Sequence, residues 1–237
     1  MQLWLSPLIA FLLGSIPFGL IIAKSKGINI REHGSGNIGA TNVLRIVGKK
    51  YGITCLILDA LKGFIPVALA MNLVQIAGRH LPVPLSLPDE WTLVLPASEA
   101  MKAQLVHIFT ALAAVLGHNY SPWVGFKGGK GIATSAGVLL ALMPFGVVVL
   151  LIVWLLLFFI TRYVAVASIG AAAALPLITL WGSWTHGRIQ DGTWNKPLFV
   201  FTVAIALLAI WKHRSNIQRL RAGTEHRFER KKKPANV

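Results

Sequence analysis

The chain has few of the residues that soluble enzymes use for charge balance and redox chemistry. Among 237 residues there are only 8 acidic side chains and 1 cysteine, and charged residues of both signs make up 13% of the total. Soluble domains carry about 25% charged residues, so this composition argues against a soluble domain. The single cysteine, Cys55, excludes an internal disulfide. Apolar residues are abundant instead: they make up 55% of the chain, and no charge interrupts residues 137–160.

The long apolar stretches predict an all-α, polytopic membrane protein with seven transmembrane helices. A helix needs about 20 mostly apolar residues to cross a bilayer, and the first stretch lacks the features of a cleaved signal peptide. The candidate spans are Leu3–Ala23, Tyr51–Ala77, Gln104–Leu116, Ile132–Met143, Pro144–Thr161, Val164–Trp181 and Pro197–Trp211. A turn is predicted at Met143, because the residue before a proline resists helix formation. Merging the fourth and fifth spans would give six helices.

The distribution of basic residues predicts the orientation. With seven crossings and a periplasmic N-terminus, 18 Lys and Arg residues fall on inner segments and 4 on outer loops. Cytoplasmic loops retain basic residues, so we expect a cytoplasmic C-terminus in a bacterial inner (cytoplasmic) membrane. Residues 1–211 then form a single transmembrane domain, and residues 212–237 a basic cytoplasmic tail that is attracted to anionic lipid. Orientation explains the net charge of +15, so no nucleic-acid partner is expected.

The first of two glycine-rich segments on the predicted inner side has the composition of an anion-binding loop. Residues 34–45 contain a G-x-G-x-x-G pattern, but a transmembrane helix precedes it instead of a strand, which excludes a dinucleotide fold. The backbone N–H groups of such a loop can converge on an anion. Thr41 or Asn42 is expected to cap a short helix, with Arg45 on the same helical face.

The second glycine-rich segment, residues 117–134, resembles a phosphate loop without matching the nucleotide P-loop. Val124 and Gly131 stand where that motif requires glycine and a hydroxyl residue. Three glycines still surround Lys130 just before a predicted helix, which is an arrangement that suits phosphate. His118 in the same segment is either a base or a structural residue, and the structural role is favoured.

Ionisable pairs elsewhere have simpler interpretations. Asp59 and Lys62 are three residues apart in the second span and are expected to pair with each other, although ionisable residues inside a span often mark functional sites. His186 and Asp191 form the H-x-x-x-x-D pattern of another acyltransferase class. They fall in a predicted outer loop, across the membrane from the basic segments, and we interpret the pattern as a coincidence.

Several separated segments together resemble the signature blocks of the bacterial acyl-phosphate:glycerol-3-phosphate acyltransferase family. They are residues 15–19, 34–45, 117–134, 161–168 and 213–216. The resemblance implies a seven-helix enzyme that transfers an acyl group from acyl phosphate to the 1-hydroxyl of sn-glycerol 3-phosphate in phospholipid biosynthesis. The products would be 1-acyl-glycerol-3-phosphate (lysophosphatidate) and inorganic phosphate. The implied partners are acyl phosphate, glycerol 3-phosphate, membrane lipid and, by functional coupling, the enzyme that makes acyl phosphate; no metal or other cofactor is expected.

The resemblance also assigns residues by motif position, on the cytoplasmic side. The predicted catalytic residues are Arg45, Lys130 and His213, and the predicted substrate-binding residues are Ser35, Gly36, Thr41, Asn42, Ser168 and Asn216. The family's third motif often has a serine where this chain has Ala165, which leaves Ser168 as the hydroxyl. Rate acceleration is expected from holding the acceptor hydroxyl against the acyl carbonyl while cations neutralise the departing phosphate. Either a substrate phosphate oxygen or His213 would take the proton.

Two other functions fit parts of the pattern. Glycine-rich breaks in helices also build the sites of transporters, here for phosphorylated metabolites, but the chain shows no internal repeat and its polar segments lie on one side. An acyltransferase that uses acyl-CoA as its donor is the second alternative.

Overall fold

The structure is a computed structural model that describes residues 4–228 and is mostly helical. Its α-helices are α1 (Leu5–Gly14), α2 (Phe18–Lys24), α3 (Ala40–Ile46), α4 (Lys49–Leu73), α5 (Ala100–Asn119), α6 (Ile132–Leu142), α7 (Pro144–Thr161), α8 (Val164–Thr185), α9 (Lys196–Lys212) and α10 (Arg214–Arg221). A two-stranded parallel sheet, β1 (Val74–Ile76) and β2 (Leu93–Leu95), lies between α4 and α5 in the chain.

Apolar helices long enough to cross a bilayer dominate residues 4–228. Five helical stretches qualify: Leu5–Lys24, Lys49–Leu73, Ala97–Val124, Pro144–Thr161 and Val164–Thr185. The bent pair α9 and α10, with 51° between its halves, gives a sixth. The apolar helix α6 has only 11 residues and falls short of this length. The protein is therefore a multi-pass helical membrane protein, whereas the count of seven crossings and the orientation of the termini stay predictions.

The first predicted span, Leu3–Ala23, is broken into two helices. Helix α1 ends at Gly14, and α2 begins only at Phe18. Pro17 has no N–H to continue the helical ladder. The Ile16 carbonyl, freed at the break, accepts a hydrogen bond from the Lys62 side chain of α4 (2.6 Å). Together with the Phe18 N–H (3.1 Å), the Lys62 ammonium satisfies a carbonyl that lipid could not.

The predicted boundaries hold best around α7. This helix covers the predicted range, and Met143 leaves helical geometry between α6 and α7 with φ −151°, so the predicted turn is confirmed. The extension of the second span to Ala77 is wrong. Helix α4 ends at Leu73 because the next three residues pair with β2.

Glycines bring pairs of helices into backbone contact. A Cβ added at Gly137 of α6 would lie 1.9 Å from the Ala60 carbonyl oxygen of α4, and one at Gly117 of α5 would lie 2.3 Å from the Phe11 carbonyl oxygen of α1. Small residues at such crossings let membrane helices approach closely. Helix α6 is thereby fixed against α4.

Candidate active site

The four polar segments singled out in the sequence come together around one cavity. It has a volume of about 500 Å³. Eight of the nine predicted site residues line it: Ser35, Thr41, Asn42, Arg45, Lys130, Ser168, His213 and Asn216. Below these polar groups the walls are apolar side chains of α6, α7, α8 and α9. The cavity thus joins a cationic end to a hydrocarbon-compatible end.

The first polar segment is a loop organised by the Asn42 side chain. The Asn42 Oδ1 accepts the Ser35 N–H (3.0 Å). The amide nitrogen lies within hydrogen-bond distance of three loop carbonyls, those of Ile30, His33 and Asn37. Asn42 is almost fully buried, and these backbone groups occupy its amide. Its contacts are those of a residue that holds the loop in shape.

The expectation that Thr41 or Asn42 caps a helix is wrong. Helix α3 begins at Ala40 with Gly39 as its N-cap residue, so neither Thr41 nor Asn42 caps it. The Asn42 side chain instead forms hydrogen bonds with backbone groups of the preceding loop. Gly36 does not line the cavity; it has φ +67°, a left-handed conformation that glycine adopts without strain and that turns the loop.

Arg45 lies one turn after Thr41 on α3, and both residues line the cavity. Partial burial lowers the pKa of Arg45 from its ordinary value, with the Glu225 carboxylate opposing that shift and the Arg219 charge adding to it. An arginine stays protonated despite such a shift. Among residues 4–228, no carboxylate lies within 4 Å of its guanidinium.

Lys130 lies in the second glycine-rich loop, just before α6. The loop doubles back on α5 through a hydrogen bond from the Gly129 N–H to the His118 carbonyl (3.1 Å). Gly131, with φ +81°, turns the chain into α6, whose first N–H groups lack helical partners. Burial, chiefly, and the charges of Arg219 and Arg45 lower the pKa of Lys130 to about 8. The loop therefore presents a cation and free N–H groups at the same place.

The end of α9 and the start of α10 complete the polar end of the cavity. The Lys130 ammonium donates to the Asn216 Oδ1. The Asn216 Nδ2 in turn donates to the Glu225 Oε1 (2.8 Å), and the Arg219 Nε donates to the Glu225 Oε2 (2.7 Å). Part of the segment predicted to be a basic tail thus lines the cavity. Residues 229–237 of that tail lie outside the described part of the chain.

His213 is a poor proton acceptor at neutral pH. Burial and the nearby Lys130 charge lower its pKa to about 4. The His213 Nδ1 lies 2.7 Å from the Ala209 carbonyl oxygen, which can only accept, so Nδ1 carries the proton and Nε2 is the free acceptor.

Ser168 marks the transition from polar to apolar lining. It is buried on α8, and its Oγ accepts a hydrogen bond from the Trp154 Nε1 of α7 (3.2 Å). The wall then continues through small and branched side chains. Leu56 of α4 and Leu151 of α7 both line the cavity and are half exposed, so its apolar part reaches the lipid-facing surface.

The ionisable pairs noted in the sequence have different outcomes. Asp59 and Lys62 form the predicted ion pair, with 2.8 Å between Oδ1 and Nζ, which is confirmed. The His186 Nδ1 lies 2.8 Å from the Gly182 carbonyl oxygen, while Asp191 accepts hydrogen bonds from Thr193. Neither His186 nor Asp191 lines the cavity.

Comparison with known proteins settles the family. The model of the glycerol-3-phosphate acyltransferase family matches residues 4–223. This chain belongs to the glycerol-3-phosphate acyltransferase family. Curated relatives named glycerol-3-phosphate acyltransferase include one from Geotalea daltonii, 43% identical over 93% of this chain and 95% of its own length. Another, from Aquifex aeolicus, is 42% identical over 92% of this chain and 95% of its own.

A solved member of the glycerol-3-phosphate acyltransferase family shares the fold. The crystal structure of PlsY, described as an integral membrane glycerol 3-phosphate acyltransferase in its glycerol 3-phosphate form, is 39% identical. It superimposes with a TM-score of 0.76 over 97% of this chain and 96% of that one. A second PlsY structure is described as the lysophosphatidic acid form.

Two residues at the site were not found by sequence reasoning. Glu225 belongs to the predicted basic, lipid-attracted tail, and only its acidic character among many basic residues sets it apart. Trp154 lies inside the fifth predicted span, and the sequence predicts no role for it. Its position far inside an apolar run, away from the predicted membrane surfaces, is the one sequence feature that points to a buried hydrogen-bond partner.

Proposed function

We propose that the protein transfers an acyl group from acyl phosphate to the 1-hydroxyl of glycerol 3-phosphate, giving 1-acyl-glycerol-3-phosphate and inorganic phosphate. The observation that carries this proposal is a single cavity whose cationic end holds Arg45 and Lys130 and whose apolar end reaches the lipid-facing surface. Both substrates bear a phosphate, and one also bears a hydrocarbon chain. The activity for which the family is named supports glycerol 3-phosphate as the acceptor.

Phosphate recognition would depend on charges that have no carboxylate partner. Of residues 4–228, no acidic side chain lies within 4 Å of the Arg45 guanidinium or the Lys130 ammonium. Charge-assisted hydrogen bonds from such cations to phosphate oxygens are about twice as strong as neutral ones. The N–H groups at the start of α6 add donors directed at the same region.

The acyl donor needs no covalent enzyme intermediate. Acyl phosphate is a mixed anhydride, so its carbonyl is already activated, and the acceptor hydroxyl can attack it directly. Among the proposed site residues, Ser168 is the serine that lies deep in the cavity. Its hydroxyl accepts a hydrogen bond from Trp154 and, within residues 4–228, contacts no base that could activate it as a nucleophile. Catalysis would then consist of alignment of the two substrates and neutralisation of the departing phosphate.

The contacts favour a substrate phosphate over His213 as the proton acceptor. A group with a pKa near 4 accepts a proton poorly at pH 7. A phosphate monoester oxygen, with a second pKa of about 6, is a better match. His213 would instead act through its free Nε2 in binding substrate.

The proposed location is the inner membrane of a bacterium, with the cavity on the cytoplasmic side. The excess of basic residues on the segments that form the polar end supports this orientation. The product would pass through the lipid-facing part of the cavity into the inner leaflet.

The decisive experiment uses purified, detergent-solubilised protein with palmitoyl phosphate and glycerol 3-phosphate, scored for phosphate release and lysophosphatidate. We expect turnover with palmitoyl phosphate and none with palmitoyl-CoA. Lys130→Ala and Arg45→Ala should each nearly abolish turnover, while Lys127→Ala, an exposed lysine of the same loop, should leave it unchanged. Near-normal rates in either of the first two variants would refute the site. Uptake of labelled glycerol 3-phosphate into vesicles without product would indicate a transporter.

A further inference from the structure

Three buried ionisable side chains have no part in the proposed chemistry. Asp59 and Lys62 of α4 and His118 of α5 are each less than a tenth exposed. Burying such groups is costly, and the cost is offset only by close partners. Ionisable residues within membrane-spanning helices commonly mark functional sites. Their partners therefore indicate what they do.

The Asp59–Lys62 pair connects three helices. Lys62 donates to the Ile16 carbonyl at the break between α1 and α2, and it pairs with Asp59 at 2.8 Å. The Asp59 Oδ1 also lies 3.7 Å from the His118 Nδ1. The pair thus holds the inner part of α5 against α4 and against the broken first span.

His118 in turn forms the surface on which the glycine loop lies. Its carbonyl accepts the Gly129 N–H. A Cβ added at Gly128 would lie 2.0 Å from that same carbonyl oxygen, and one added at Gly129 would lie 2.2 Å from the His118 Nε2. Only residues without side chains can lie this close. The next residue along the loop is Lys130.

We propose that His118 is a positioning residue: packed beside Asp59, it fixes the glycine loop and with it the location of Lys130 and the start of α6. The proposal rests on the proposed function for the role of Lys130 in binding phosphate. Asp59 and His118 also line the cavity themselves. In this arrangement, the buried ion pair of α4 reaches the glycine loop through His118. A role for His118 as general base fits the contacts less well, since its Nε2 is covered by Gly129.

The test measures Lys130 directly, apart from turnover. Acetylation of the Lys130 peptide, followed by mass spectrometry across pH, reports the pKa of the ammonium, which is about 8 in the native protein. In His118→Asn, the asparagine amide can still face Asp59, but the ring beneath the loop is lost. We expect the midpoint of Lys130 acetylation to rise toward the ordinary lysine value as the loop moves into solvent. The neighbouring Arg45, Arg219 and Glu225 are unchanged by the substitution.

Turnover gives the second readout. We expect kcat/KM to fall by up to about 100-fold, the loss that a displacement of about 1 Å can cause. Both limbs of the pH–rate profile should remain, with the alkaline limb moved to higher pH together with the Lys130 midpoint. Gly129→Ala should produce a similar loss, because its Cβ would collide with the His118 ring. The double variant should be no worse than the more impaired single variant, since both changes act through one contact.

His107→Asn is the matched control. His107 is also buried on α5, but its Nε2 contacts the Val74 carbonyl oxygen (2.7 Å), far along the helix from the loop. In this variant, the pH midpoint of Lys130 acetylation should stay at the native value. If His118→Asn does not yield folded protein, Gly129→Ala alone carries the test.

The outcomes separate the two proposals. An unchanged Lys130 midpoint in the folded variants, or single effects that multiply in the double variant, would overturn the positioning role. A pH–rate profile that loses a limb while the midpoint stays fixed would make His118 a base and also overturn it. A shifted midpoint in a protein that produces no lysophosphatidate would support the positioning role and reject the proposed reaction.

Discussion

Asn42 illustrates, at the scale of one residue, how a loop depends on a single amide. Replacing it by aspartate keeps the oxygen that accepts the Ser35 N–H but removes the donor for three carbonyls. Each unsatisfied buried group costs about 1–3 kcal/mol. We expect Asn42→Asp to lower the thermal unfolding temperature in detergent and to reduce turnover strongly.

Asn195→Asp is the control for that substitution. Asn195 caps α9, and its Oδ1 accepts the Leu198 N–H (2.9 Å). Aspartate is as good an N-cap as asparagine, so stability and turnover should stay at native values. Equal effects of the two substitutions would show that the Asn42 donor is not what holds the loop.

The protonation of Lys130 predicts the alkaline limb of activity. Its pKa, lowered to about 8 chiefly by burial, means that the ammonium predominates below pH 8 and is lost above it. Since the proposed mechanism needs the charge, kcat/KM should fall as the pH rises through this value. Lys130→Arg keeps a charge at high pH, so any activity it retains should lack that limb. A wild-type rate that stays flat to pH 10 would contradict the role of Lys130.

Contacts between residues of one helix could be predicted from the sequence, whereas contacts between distant segments could not. The Asp59–Lys62 pair followed from a spacing of three within one helix, and the placement of Thr41 and Arg45 on one face followed from helical periodicity. Glu225 could not be predicted in the same way. Its partners Asn216 and Arg219 depend on how the chain folds back after α10, which no local pattern specifies.

Helices whose boundaries depend on local chemistry were the most predictable elements. Helix α7 is bounded by Pro144 and by Arg162 in a left-handed conformation, and it covers the predicted range. The end of α4 depends instead on β2, about 20 residues further along the chain, so hydrophobicity alone extended it too far. Tertiary pairing overrides local preference at such places.

The contact between α4 and α6 yields a prediction at the scale of elements. In Gly137→Ala, the new Cβ would lie 1.9 Å from a backbone oxygen of Ala60, which cannot move without moving α4. We expect the helices to separate, the unfolding temperature to fall, and turnover to fall with it because α6 starts at the site. Gly182→Ala is the control: it lies in α8 with no atom within 4 Å of the added Cβ. That change should be neutral or stabilising by up to about 1 kcal/mol, since alanine favours helix.

Assembly of the site is a property of the whole molecule. Arg45 and Asn216 are about 170 residues apart in the chain, yet both line one cavity. The sequence predicted that these segments share one side of the membrane, because basic residues concentrate there. It could not supply their distances, which depend on the packing of α4 against α6 and on the bend between α9 and α10.

The number of crossings can be tested by which side of the membrane each loop faces. Cys55 is fully buried and is the only cysteine, so introduced cysteines can be labelled over a low background. With seven crossings, Lys127→Cys and Arg162→Cys face the cytoplasm and should react with an impermeant maleimide only after permeabilisation. Asp89→Cys, in the exposed loop between β1 and β2, should react in intact cells. If α6 and α7 formed one crossing, the cysteines at positions 127 and 162 would be labelled from opposite sides. Lys130 lies three residues beyond Lys127, so its loop would then face the opposite side of the membrane from the loop at Arg162. That result would contradict an active site to which both loops contribute from the cytoplasm.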